Sequence, residues 1–302
     1  DYSDKATLER YQQLLNSSKK WIHCENVFPV LNDFQLENWL ERVYLERLEK
    51  KAADIEILLK NSKYDWEAIL FRLLAKGFGL KLNSDVFFEA ACTVDFAIIR
   101  KLSAKRGSLE AFLFGIFGLL SQDVTQEPYF DDLKQEFDYL CHKFEHTKIT
   151  TIPLQFFRTR PANFPTILTS QLATVYHQQQ NLFSKLITTT SLDQLYQMLQ
   201  VATSSFWETH YTFEKISPKR TKKVSKNFID VLLINSIIPL KYCYDRYLGK
   251  SDIESILSLL RSIAAEKNTI IQKFRTKDIS IENAQQTQAL LELKKSYCDR
   301  HK

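Results

Sequence analysis

Two arginines in the stretch FFRTRPANFPT, residues 156–166, are the side chains best suited to bind an anion. Arg158 and Arg160 each carry a planar fork of N–H donors that matches a carboxylate or a phosphate. Pro161 favours an extended conformation for Arg160, and Asn163 is placed to cap the helix that follows. Two interpretations stay open: the arginines bind an anion or a partner, or they pair with acidic residues of a neighbouring helix and stabilise a rigid corner.

A second group of cations lies in PKRTKKVSK, residues 218–226, and follows the aromatic segment FWETHYTF, residues 206–213. Cations that neutralise phosphates, with aromatic rings to stack on bases, are typical of single-stranded nucleic-acid grooves. The candidate contacts here are His210, Lys219, Arg220, Lys222, Lys223 and Lys226. The alternative is a solvated basic loop whose aromatic side chains belong to the core.

Two pairs of residues have metal-ligating side chains. His142 and His146 are four residues apart, which places two imidazoles on one side of a helix, and Cys298 and His301 lie near the end of the chain. A zinc site needs further ligands, and neither pair has them nearby in the sequence. We therefore predict no metal site, with Cys298 and His301 as weak candidates only, and no cofactor.

The motifs that usually identify an enzyme are missing from the sequence: a phosphate loop, a glycine-rich dinucleotide turn, HExxH and GxSxG. The acidic residues are mixed with basic ones on helical faces, a pattern typical of solvated surfaces. We predict no catalytic residue in this chain. An enzyme acting alone would need a cleft in which several titratable groups converge.

The elements that must position these residues are helices. Only six glycines and seven prolines interrupt 302 residues, too few for the turns of a many-stranded sandwich or barrel. The predicted fold is an all-α, irregular multi-helix domain with at most one short β element near residues 207–216. It forms either a single domain over residues 1–302 or two sub-bundles, 1–150 and 151–302.

Four glycine and proline positions carry specific predictions. Gly77 is placed to end a helix in the left-handed conformation, and Pro128 is placed to begin another. Gly115 and Gly118 interrupt the apolar run AFLFGIFGLL, residues 111–120. Since glycine destabilises a helix interior by about 1 kcal/mol relative to alanine, we expect a neighbouring helix to pack closely against them.

The five cysteines have no CxxC spacing and an odd total, which argues against a secreted disulfide framework and predicts a cytoplasmic protein. The apolar run is about half the length of a membrane span, so no membrane association is predicted. The chain opens with DYSDKATLER, without an initiator methionine, and we expect a piece of a longer protein. A net charge of +5 is compatible with nucleic acid but does not identify it.

The chain resembles a bacterial family called domain of unknown function 2851. The resemblance rests on WEAILFRLLAKGFGLKLNSDVFFEAA, LEAFLFGIFGLL, RTRPANFPTILTSQLA, FWETHYTF and LELKKSYCDRHK, among which RPANFP is the most specific. It implies that this chain is the C-terminal helical part of proteins whose N-terminal region resembles restriction-endonuclease-like nucleases. It also implies a larger cysteine cluster that includes Cys298.

We therefore predict a non-catalytic helical domain of a nucleic-acid-processing protein, which binds the phosphate backbone through its clustered arginines and lysines. Any nuclease-like site would lie in the N-terminal region that the resemblance implies. The alternative is a helical scaffold that binds a protein partner or its own N-terminal domain. The sequence does not distinguish DNA, RNA and protein as the partner.

Overall fold

The computed structural model describes residues 21–22, 28–121, 127–147, 150, 152–250, 252–276 and 279–299. In these ranges the chain is built almost entirely of helices, so the all-α prediction is confirmed. None of the described helices combines the length and the apolar character that a membrane span requires.

The first seven α-helices are α1 (Asp33–Asn61), α2 (Trp66–Phe78), α3 (Leu80–Cys92), α4 (Phe96–Leu102), α5 (Arg106–Ile116), α6 (Pro128–Phe144) and α7 (Pro165–Gln178). They are followed by α8 (Leu182–Thr188), α9 (Leu192–Leu199), α10 (Lys226–Leu232), α11 (Ile238–Tyr247), α12 (Ile253–Ser262), α13 (Thr269–Arg275) and α14 (Ala284–Glu292). Short 3-10 turns lie at Phe28–Val30, Pro161–Asn163 and Ser205–Glu208, and π-helical turns at Leu233–Ile237 and Leu293–Cys298.

The chain folds into two compact units. Residues 1–47 and 264–302 form the first, in which the rings of Trp21 and Phe274 meet edge to face at 4.7 Å. Residues 48–263 form the second, which contains both groups of cations singled out from the sequence. A sub-bundle boundary near residue 150 stays a prediction.

Helices α5 and α6 pack closely in the second unit. Every side chain of α5 from Leu109 to Ile116 is buried, and a Cβ atom added to Gly115 would lie 2.2 Å from the ring of Phe137 on α6. The predicted close packing at Gly115 is therefore confirmed, whereas Gly118 lies beyond the end of α5 in a turn with a left-handed φ of +77°, so its predicted place in a helix interior is wrong. The predicted start of α6 at Pro128 is confirmed as well.

Gly77 lies inside α2, which ends at Phe78 with Gly79 as its C-terminal cap. Gly79 keeps a right-handed φ of −66°, so the predicted left-handed cap at Gly77 is wrong. The glycine serves packing instead, because a Cβ atom on Gly77 would lie 2.4 Å from Cδ2 of Leu232. Its missing side chain lets α2 approach α10.

The short β element expected near residues 207–216 is reduced to one antiparallel bridge between His210 and Ile216. The 3-10 turn Ser205–Glu208 precedes it. The backbone curves here because three of its carbonyl groups converge on the ammonium group of Lys222, which an extended strand does not permit.

Candidate nucleic-acid interface

In the proline corner, residues 156–166, a 3-10 turn over Pro161–Asn163 precedes α7. The N-cap of α7 is Phe164, which makes no side-chain cap hydrogen bond, so the predicted capping by Asn163 is wrong. The backbone N–H of Asn163 donates to the carbonyl of Arg160 at 2.8 Å and closes the 3-10 turn. This turn places Asn163 one residue too early to cap the helix.

One local and one long-range contact hold the corner in place. The rings of Phe156 and Phe164, at its two ends, meet edge to face at 5.2 Å. Just before it, the buried side chain of Asn83 on α3 donates to the carbonyl of Gln155 at 3.0 Å and accepts from its N–H at 2.8 Å. The corner is thus stabilised by a contact between two of its own rings and by hydrogen bonds between the adjacent Gln155 and α3.

The arginines of the corner, Arg158 and Arg160, are both exposed. Arg158 has a φ of +63°, in the left-handed region, and its guanidinium lies 5.5 Å from the ring centroid of Phe157. Within the described ranges neither arginine forms an ion pair with a carboxylate. Phe157 is 80% exposed, and the sequence analysis did not single it out, although an aromatic residue directly before two arginines was the available signal.

The basic loop, residues 200–225, connects α9 to α10 and has Lys222 at its centre. Lys222 is only 6% exposed. Its ammonium group donates to the carbonyl of Trp207, and to the carbonyls of Glu208 and His210 at 3.1 Å each. The ammonium also lies 4.1 Å from the ring centroid of Tyr211, and burial lowers the pKa of Lys222.

Lys222 therefore holds the loop together from inside, with its donors already used by three carbonyl groups. We correct its assignment as a phosphate contact accordingly. Its sequence neighbour Lys223 is exposed. The difference arises because neighbouring residues in an extended backbone point to opposite sides.

Four of the predicted cations remain at the surface of the loop and of the first turn of α10: Lys219, Arg220, Lys223 and Lys226. Lys219 pairs with Glu208 at 3.5 Å. Lys226 lies 4.9 Å from the ring centroid of Tyr196. An aromatic face positions an ammonium group without neutralising its charge.

His210 is half-buried, and its ring stacks on that of Phe206 with centroids 4.1 Å apart. Its Nδ1 lies 3.0 Å from Oγ1 of Thr209 and 3.2 Å from the carbonyl oxygen of Phe206. His210 is therefore part of the internal packing of the loop as well as of its surface.

Helix α7 brings the corner and the loop together. It begins at the corner, and three of its buried polar side chains bond to the backbone of the loop. Thr166 donates to the carbonyl of Tyr211 at 2.6 Å, and Gln171 donates to the carbonyl of Lys222 at 3.2 Å. Ser170 accepts from the N–H of Ser204 at 3.0 Å. Both groups of cations are thus fixed to one helix.

Glu110 also holds the loop in place and was missed in the sequence. It is 1% exposed in the apolar α5, and one carboxylate oxygen accepts from Oγ of Ser204 at 2.9 Å and from Nε1 of Trp207 at 2.8 Å. Burial raises the pKa of Glu110, while its hydrogen bonds and the charge of Arg106 act against this rise. The available signal was a single carboxylate inside SLEAFLFGIFGLL.

The histidine pair does not share a helical face. Helix α6 ends at Phe144 because Glu145 adopts a left-handed φ of +52°. His142 is exposed on the last turn, whereas His146 is buried with its ring centroid 5.4 Å from that of Phe112. The prediction that the two imidazoles lie on one side of a helix is wrong.

No group of three or more metal-ligating side chains occurs in the part of the chain that the structure describes. Cys298 lies in the second π-helical turn, and His301 lies outside the described residues. The cysteines Cys92, Cys141, Cys243 and Cys298 are free.

These elements define an all-α protein whose proline corner and basic loop are fixed to one buried helix. The chain belongs to the family described as protein of unknown function (DUF2851), whose model matches residues 1–269. The family resemblance seen in the sequence is confirmed. No curated protein and no solved structure matches the chain.

Proposed function

We propose that this chain binds nucleic acid through its phosphate backbone, as the non-catalytic helical part of a nucleic-acid-processing protein. The contacts we assign are Arg158, Arg160, Asn163, His210, Lys219, Arg220, Lys223 and Lys226. The observation that carries the proposal is that the corner leads directly into α7, while Thr166, Ser170 and Gln171 of α7 bond to the backbone of the loop. Cations held in place lose less conformational entropy on binding than cations on a mobile loop.

Phe157 adds a stacking surface to the cations. Its ring is 80% exposed and lies beneath the guanidinium of Arg158. Stacking of a base on an aromatic ring contributes about 1–3 kcal/mol in single-stranded complexes. The proposal therefore favours single-stranded over duplex nucleic acid.

The test is a binding titration of labelled single-stranded and duplex DNA at several salt concentrations. If all six exposed arginines and lysines contact phosphates, the logarithm of the affinity for single strands falls with the logarithm of salt with a slope of about −4. Absence of binding at low salt, or affinity that does not depend on salt, contradicts the proposal.

A double variant checks the location of the interface. R158A/R160A is expected to reduce the magnitude of the salt slope by about 1.4, since each phosphate contact on a single strand contributes about 0.7. K134A/K143A is the matched control, because it removes the same charge from exposed positions on α6. An equal reduction of the salt slope in both variants would show that the effect comes from net charge alone.

A protein-binding scaffold is the second candidate, favoured by large apolar side chains at the surface of the first unit. Val30 is 80% exposed and Phe34 is 75% exposed. Substituting both with serine is expected to abolish association with a protein partner and to leave DNA binding unchanged. That the chain is the C-terminal part of a longer, cytoplasmic protein stays a prediction within either proposal.

A further inference from the structure

A cavity of about 440 Å³ opens between α1, α2, α3, α10 and the first π-helical turn, and none of the described residues in its lining belongs to the proline corner or the basic loop. This volume is within the range of small-molecule sites, about 300–1,000 Å³. Most of its wall is apolar and consists of Ile55, Leu58, Leu73, Leu80, Phe88 and Val231. The cavity therefore suits a ligand with an apolar group that can pack against this wall.

Among the described residues, three lysines line the same cavity, Lys51, Lys76 and Lys81, together with one carboxylate, Asp54. The ammonium of Lys51 donates to Oδ1 of Asn235 at 2.7 Å. The ammonium of Lys76 lies 5.2 Å from the ring centroid of Phe88, which positions its charge through a neutral side chain. The described lining therefore holds more basic than acidic side chains.

Two unusual backbone conformations lie in this lining. Asn235 and Ser236 belong to the π-helical turn, a conformation often found at functional sites. Leu80 has a φ of +51°, a left-handed conformation that a leucine rarely adopts and that clusters at ligand sites. Gly77 removes the side chain that would keep α2 from α10. Sequence features from three separate segments thus converge on one cavity.

We propose that this cavity binds an organic phosphate, with the phosphate group among Lys51, Lys76 and Lys81 and the apolar body against the wall. Lysine binds phosphate as a point charge, and a phosphate monoester carries roughly twice the negative charge of a carboxylate at neutral pH, which suits a lining with three lysines. The site is separate from the proposed nucleic-acid interface, because the two share no residue.

Calorimetric titration with phenyl phosphate, inorganic phosphate, benzoate and benzyl alcohol tests the proposal. Phenyl phosphate is expected to bind at least about tenfold tighter than each of the other three, and less tightly as salt increases. Equal binding of inorganic phosphate would show that the apolar wall contributes nothing. Equal binding of benzoate or benzyl alcohol would contradict phosphate recognition. Each of these results, or no binding of phenyl phosphate, overturns the proposal.

K76M/K81M is the matching variant, because methionine keeps the length of the side chain and removes its charge. Both lysines are exposed, so the variant is expected to fold, which its thermal melting curve checks. The affinity for phenyl phosphate should fall at least about tenfold. K134M is the control, since the ammonium of Lys134 lies over the ring of Phe130 in the same way but outside the cavity.

An unchanged affinity in K76M/K81M overturns the assignment. R158A/R160A separates this site from the nucleic-acid interface: it should lower DNA binding and leave phenyl phosphate binding as it is. Loss of phenyl phosphate binding in R158A/R160A would place the phosphate at the proline corner and contradict the cavity. Failure of DNA binding in the unaltered protein leaves the phenyl phosphate result interpretable on its own.

Discussion

The proline corner and the basic loop expose similar side chains but are stabilised in different ways. The corner is closed by a 3-10 turn, by the Phe156–Phe164 contact between its own ends, and by Asn83. The loop depends on Glu110 and α7, which lie far from it in the sequence. The corner is thus held mainly by contacts among its own residues, with one distant contact through Asn83, whereas the loop is held by distant segments, so the two should respond differently to substitution.

Trp207→Ala should have the largest effect, because it removes a fully buried ring from the loop and a hydrogen-bond donor from Glu110. We expect the free energy of unfolding to fall by about 3–5 kcal/mol in urea denaturation. Phe156→Ala in the corner, where the ring is half-buried, should cost about 1 kcal/mol. Similar losses at both positions would contradict the distinction between the two regions.

Lys222→Met should destabilise by about 1–3 kcal/mol, because three carbonyl groups lose their shared donor. Lys223→Met is the matched control and should change the free energy of unfolding by less than about 0.5 kcal/mol, since Lys223 is exposed. Denaturation of both variants measures the difference. If Lys223→Met were the more damaging, the internal role of Lys222 would be wrong.

Glu110→Gln should change how stability depends on pH. Burial raises the pKa of Glu110 in the folded state above its unfolded value, so the folded state binds more protons between the two values. The unaltered protein should therefore lose stability as pH rises from the unfolded pKa through the raised folded pKa, and the variant should lack this slope. Urea denaturation over that pH range compares them, and parallel curves would refute the assignment.

Arg158→Gly should have the smallest effect on folding. Glycine adopts the φ of +63° without strain, but its backbone loses more conformational entropy on folding than that of arginine. Because the two effects oppose each other, the free energy of unfolding should change by less than about 0.5 kcal/mol. Affinity for single-stranded DNA should nevertheless fall. A thermal melt and a DNA titration on the same sample check both, and a marked loss of stability would show that Arg158 holds the corner.

The local features of the fold could be predicted from the sequence. Few glycines and prolines indicated an all-α protein, and Pro128 and Gly115 marked a helix start and a close helix contact because each imposes its own backbone constraint. The capping by Asn163 failed because the preceding residues form a 3-10 turn, which the same residue types also permit. Composition and local spacing were sufficient to predict the local structure only where the residue types permit a single backbone conformation.

The candidate site was only partly predictable. Lys222 and Lys223 are identical in type and adjacent, yet one is buried among carbonyl groups and the other is exposed. Glu110 lies in an apolar helix, and its partners are more than ninety residues away in the sequence. Whether such a side chain is buried, and which groups it bonds to, depends on contacts between distant segments. Periodicity and spacing in the sequence do not indicate those contacts.

The three side chains of α7 reach the basic loop at its backbone, at Tyr211, Lys222 and Ser204. A backbone N–H or carbonyl is present whichever side chain the residue carries, so these three contacts do not depend on the side chains that the loop exposes. Lys219, Arg220 and Lys223 can therefore be exchanged for other residues while the loop keeps its course. The loop is suited to serve as a graft site, on which new binding surfaces can be built without redesigning the fold.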